Sequence, residues 1–102
     1  MNSNDQSDNK TYNITTNGAT ILPGKLVLIR IVVNTKGASS NTATIYDSTE
    51  AIGANAERKK GELDTTSAVG NVEYGFICYD GIYIDVNTGT APDLTVIYKE
   101  TP

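Results

Sequence analysis

The sequence predicts an all-β domain, a small antiparallel β-sandwich of the jelly-roll or immunoglobulin-like kind with about eight short strands. Three observations carry this. Apolar residues recur with a period of two, turn signals fall about every ten residues, and no segment shows an apolar stripe of helical period. Composition agrees, because Thr, Ser and Asn are abundant in the 102 residues. Thr suits a pleated, half-wet surface, and Asn and Ser suit turns. The length is that of one ordinary domain.

The elements follow in order. Residues 1–10 hold no apolar side chain after Met1 and read as a flexible polar arm, leaving 11–102 as the sandwich. Tyr12 to Thr15 alternates and stops at Asn17-Gly18, a strong turn dipeptide. Ala19 to Leu22 is ended by Pro23-Gly24. Lys25 to Asn34 is the strongest strand of the chain, followed by a turn at Ser39-Ser40-Asn41 and a strand at Thr42 to Tyr46. Asp47 to Ala56 reads as a long loop and Glu57 to Leu63 as a polar edge strand. Thr49 to Lys60 is the one helix-tolerant stretch, with too few apolar residues to dock. Gly70 to Tyr79 ends at Asp80-Gly81, Ile82 to Val86 ends near Asn87-Thr88-Gly89, and Leu94 to Tyr98 follows the turn at Pro92-Asp93.

The faces of these strands carry the functional argument. Side chains alternate across a strand. Strict alternation places Val27, Ile29, Ile31 and Val33 on one face of the strongest strand, and Leu26, Leu28, Arg30 and Val32 on the other. In Gly70 to Tyr79, the residues Val72, Tyr74, Phe76 and Cys78 share a face opposed by Ile77 and Tyr79. In the last strand Leu94, Val96 and Tyr98 are opposed by Ile97. A sandwich sheet needs one apolar face only. A second one in so small a chain predicts a subunit interface, made by Leu26, Leu28, Arg30, Val32, Ile77, Tyr79 and Ile97. The plainer alternative is a central strand covered by loops.

The chain offers little chemistry. It has no His, the commonest general base and metal ligand. Its one cysteine, Cys78, lies in an apolar-alternating run and reads as a small core residue. No phosphate-binding glycine loop, zinc spacing or EF-hand loop is present. Asp64, Asp80, Asp85 and Asp93 lie at or beside turns, where capping is the ordinary use of Asp. The expectation is a protein without catalytic, cofactor or metal-binding residues. Six tyrosines (Tyr12, Tyr46, Tyr74, Tyr79, Tyr83 and Tyr98) could supply a sugar-stacking surface, but packing between strands is their commoner role.

A net charge of −4 argues against nucleic acid as a partner. The short cluster Arg58-Lys59-Lys60 sits between Glu57 and Glu62 and reads as a solvated surface. No apolar stretch approaches the ~20 residues that span a bilayer. No apolar segment follows the polar start, so no secretory signal is expected, and the sequons at Asn9 and Asn13 carry no weight.

Several phrases occur together: Asn34-Thr35-Lys36-Gly37-Ala38, then Asn41 to Asp47, then Asp64-Thr65-Thr66, then Gly89 to Val96. In that order they resemble small structural proteins of tailed bacteriophages, over roughly Ala19 to Lys99. The resemblance implies a virion component, a head decoration (cement) or head-fibre protein. It implies a homo-oligomer, with a trimer favoured, that binds the major capsid protein or another virion protein. The arm or the turn-rich end of the sandwich would make that contact. The alternative is a carbohydrate- or host-receptor-binding module of a tail or neck fibre.

Overall fold

The computed structural model describes residues 9–51 and 55–101. Eight strands form there: β1 (Lys10–Ile14), β2 (Gly18–Pro23), β3 (Leu26–Thr35), β4 (Thr42–Asp47), β5 (Lys59–Asp64), β6 (Gly70–Cys78), β7 (Gly81–Asn87) and β8 (Asp93–Glu100). The first sheet runs β1-β8-β3-β6 and the second β2-β7-β4-β5. Strand pairs β1 with β8, β2 with β7, β3 with β6 and β4 with β5 are all antiparallel. The chain is thus one long hairpin, tipped at β4–β5 and wrapped so that all connections except β4–β5 cross between sheets. That order is a jelly roll and excludes the immunoglobulin alternative.

The two sheets meet through alternate side chains. Leu28, Ile31, Val33, Leu94 and Val96 of the first face Ile45, Ile82, Ile84 and Val86 of the second, all fully or nearly fully buried. Tyr74 and Phe76 pack edge to face, ring centroids 5.4 Å apart, beside this core. β5 carries Lys59, Lys60, Glu62 and Asp64 along a sheet edge, and charge on an edge discourages strand addition.

Strand boundaries differ from expectation by a residue or two throughout. β1 begins at Lys10, which the sequence assigned to the arm; residues 1–8 lie outside the described residues. The expected loop Asp47 to Ala56 is likewise described only in part. The edge strand starts two residues later than Glu57. Ala56–Arg58 form a 3-10 turn, and the Asn55 side chain accepts from the Glu57 amide at 3.0 Å.

The largest correction concerns β3. Its register against both neighbours shifts between Leu28 and Arg30. Ile29 and Arg30 are therefore both half-exposed in succession, and the alternation changes phase. Leu26, Leu28, Ile31 and Val33 point into the core; Val27, Ile29, Arg30 and Val32 line the outside. Leu26 and Leu28, expected on the outer face, are only 4% and 0% exposed. The irregularity continues into β6, where Gly75 adopts φ +132°, a conformation open to glycine and strained for other residues. An extra residue lets β3 keep the charge of Arg30 outside while four large aliphatic residues stay inside.

Candidate interaction surface

The bulge builds a surface on the outer face of the first sheet. One row across it reads Thr11, Ile97, Arg30 and Glu73 from β1 to β6. The next row toward the start of β3 holds Lys99, Val27 and Ile77, and the row beyond Arg30 holds Asn13, Thr95, Val32 and Asn71. Val27, Ile29, Val32 and Ile97 are half-exposed and Ile77 is exposed. Among the described residues no strand packs on this face. Of the residues the sequence assigned to an interface, Arg30, Val32, Ile77 and Ile97 come together here. Tyr79 lies just beyond the end of β6, 63% exposed, with Lys25 Nζ 5.4 Å from its ring centroid.

Arg30 lies inside the apolar stripe, with Glu73 beside it and Lys99 in the adjoining row. Its Nε donates to both carboxylate oxygens of Glu73 at 3.2 and 3.1 Å. Neither of its terminal nitrogens donates a hydrogen bond among the described residues.

The outer face of the second sheet is different. Asp85, Thr44 and Glu62 line up across β7, β4 and β5. Tyr83, only 7% exposed, lies between Ile21 and Tyr46 on that face, and the two rings meet edge to face with centroids 6.0 Å apart.

Two polar clusters lock the ends of the sandwich. At one end Asn41 is fully buried. Its Nδ2 donates to Asn17 Oδ1 at 2.9 Å and to Thr88 O at 2.7 Å, and its Oδ1 accepts from Thr65 Oγ1 at 2.7 Å. Ser39, Ser40 and Thr88 beside it have positive φ, costly for non-glycine residues and above all for a β-branched one. Gly37 fits there because a Cβ would stand 2.6 Å from Thr65 Oγ1 and 2.8 Å from Thr90 O. At the other end the Asp47 carboxylate accepts from the amides of Tyr79, Asp80 and Gly81 at 2.9, 2.8 and 3.3 Å. Arg58 Nη1 donates to Asp47 O and to the Asp80 carboxylate, closing the same corner. Partial burial raises the Asp47 pKa, but the three amides and the charge of Lys60 outweigh it, so the group lies below the ordinary carboxylate value.

Of the four carboxylates expected to cap turns, only Asp64 does so: Asp80 pairs with Arg58, Asp93 binds side-chain amides, and Asp85 lies within β7 on the outer face of the second sheet. Asp64 accepts from the Thr66 amide and hydroxyl, which hold its pKa low, and Asp93 accepts from Asn13 and Asn34. Burial, with Asp47's charge adding to it and Lys60 opposing, pushes the Cys78 thiol up to about 11, so it is protonated at neutral pH. Among the described residues no three His, Cys, Asp or Glu side chains gather as a metal site. The tyrosines form no platform. Tyr12 and Tyr79 are exposed at opposite edges of the first sheet, while Tyr46 with Tyr83, Tyr74 and Tyr98 are in packing contacts or half-buried.

Sequence reasoning missed Val27 and Ile29 as surface residues, and missed Asn41 and Asp47 as the locks of the two ends. Gly75 within a strand was the available sign of the bulge. Nothing local marks Asn41 or Asp47, because their partners are distant in the chain.

The fold and this surface define a jelly-roll module whose distinguishing feature is an apolar stripe on an outer sheet face. No protein-family model matches the sequence, and no curated protein matches it. Among solved structures, the chain is similar to the core of the Drosophila protein NLP, at 12% identity and a TM-score of 0.48, over 91% of this chain and 97% of that one. The NLP structure concerns pentamer formation and histone binding. A likeness this distant carries neither property to this chain, and the phage resemblance rests on the sequence phrases alone.

Proposed function

We propose that this chain is a non-catalytic structural protein of a tailed-phage particle, a head decoration or head-fibre component that self-associates and binds the assembled shell. The uncovered apolar outer face of the first sheet is the observation that carries this reading. Such a face on a small domain calls for a protein neighbour. Several residues that could have argued for chemistry are otherwise engaged: the sole thiol is buried and protonated, Asp64 caps Thr66, Asp80 pairs with Arg58, and Asp93 binds Asn side chains.

In this reading the loops beside Asn41, which hold Ser39, Ser40 and Thr88 at positive φ, or the residues that precede β1, would contact the major capsid protein. A protein that binds only the assembled shell stabilises it by mass action. Mass spectrometry of purified virions tests the proposal. The expected result is this chain in copy numbers that scale with the shell; its absence from the particle would end the reading.

A further inference from the structure

The geometry points to a second copy of this chain as the occupant of that face, stacked sheet against sheet about a two-fold axis, with the terminal nitrogens of Arg30 pairing a carboxylate of the partner. This rests on the reading of the chain as a self-associating protein and gives it an arrangement.

Three observations single out a copy of the same chain. The face can match itself, since an apolar stripe of Val27, Ile29, Val32, Ile77 and Ile97 carries Arg30 and Glu73 side by side, with Lys99 in the adjoining row. A two-fold contact requires a patch that matches itself in this way. Arg30 spends only Nε on Glu73 and is 34% exposed, so its two terminal amino groups are available across an interface. A guanidinium forms paired hydrogen bonds to carboxylates through this kind of fork. Area permits the contact: four strands about 4.8 Å apart and about eight residues long give roughly 500 Å² a side. Stacking two such faces buries about 1,000 Å², the floor for a specific protein interface. The second sheet is a poor competitor, because its outer face presents Asp85 and Glu62 and has packed its own aromatic residues.

A face-to-face pair is a dimer, in place of the trimer that the phage resemblance implies. The test is mass by light scattering on the full chain at micromolar concentration, with circular dichroism and melting to confirm folding. Wild type should be a dimer. Arg30→Glu and Glu73→Arg each put two like charges on the face, and each should weaken association by about tenfold or more. An equimolar mixture of the two variants should recover the dimer, because each then meets the opposite charges of the other. A bridge confined within one chain would leave the mixture as monomeric as its parts. Val32→Asp, half-exposed and outside the core, should also give a folded monomer, and Glu62→Arg on the second sheet should leave the mass unchanged.

A monomeric wild type, a mass of three or more chains, dimers indifferent to these variants, or a mixture that fails to recover would each overturn the inference. Virion content separates this from the broader reading. A chain present in particles but monomeric alone sinks only the pairing. One that dimerises but is absent from particles sinks only the phage role.

Discussion

The outer face of the second sheet shields its largest side chain with its own neighbours. Tyr83 lies against Tyr46 and beside Ile21, and charged residues of β5 and β7 surround them. The outer face of the first sheet has no such arrangement. Its aliphatic residues stand in adjacent rows, and the charges among them are Arg30, its partner Glu73 and Lys99. Both faces belong to one sandwich and one core. The difference shows that an apolar residue on an outer face is informative when neighbours of the same chain leave it uncovered.

Five substitutions would break or sharpen this contrast. The largest effect on folding is expected from Leu28→Ala. Leu28 is in the core, so its truncation should cost about 2–5 kcal/mol in denaturant unfolding. Val32→Ala, four residues along the same strand but on the outer face, should cost under about 1 kcal/mol at concentrations where the chain is monomeric. Equal costs would mean that the phase change in β3 is wrong.

Tyr83→Ala should cost about 2 kcal/mol, since burial of the ring is nearly complete. It should leave association untouched, because the proposed contact uses the first sheet. A change in solution mass would contradict the division of labour between the faces.

Asp47 ties the turn beside Tyr79, at the rim of the first sheet, to β4 of the second. Asp47→Asn should cost about 1.5 kcal/mol near neutral pH, from weaker bonds to the three amides. The pH dependence has a definite sign. The folded-state pKa lies below 3.8, so the contribution is complete above that value. It is lost as pH falls through the folded-state pKa, when the carboxylate must be protonated. The variant should therefore lose less stability on acidification than wild type, as read by melting temperature against pH. An identical slope would remove Asp47 from the account.

The smallest effect is expected at Arg30→Ala. Its ion pair with Glu73 is partly exposed, and such pairs contribute at most about 1 kcal/mol to folding. Its consequence should appear in association instead, as a lower mass at the same concentration.

β6 and β8 were legible in the sequence because strict alternation holds along them. Val72, Tyr74, Phe76 and Cys78 share the inner side with Leu94, Val96 and Tyr98, and Ile77 and Ile97 lie opposite, as the pattern predicts. β3 misled for a specific reason. Alternation fixes two sides but assumes an unbroken period, and one shift between Leu28 and Arg30 exchanges them for half the strand. Arg30 itself was the clue, since strict alternation put a charge among Leu26, Leu28 and Val32.

The amino-acid pattern by itself determined the all-β class, the number of strands and their approximate limits. These follow from local rules: side-chain alternation, turn residues and the absence of helical period. Tertiary structure alone decided the jelly-roll order, the side to which each half of β3 turns, and the roles of Asn41 and Asp47. Those depend on strands and turns far apart in the chain, such as Asp47 with Tyr79 and Asn41 with Thr88. No local signal encodes which distant backbone will need a carboxylate or an amide, because the need exists only once the sheets have met.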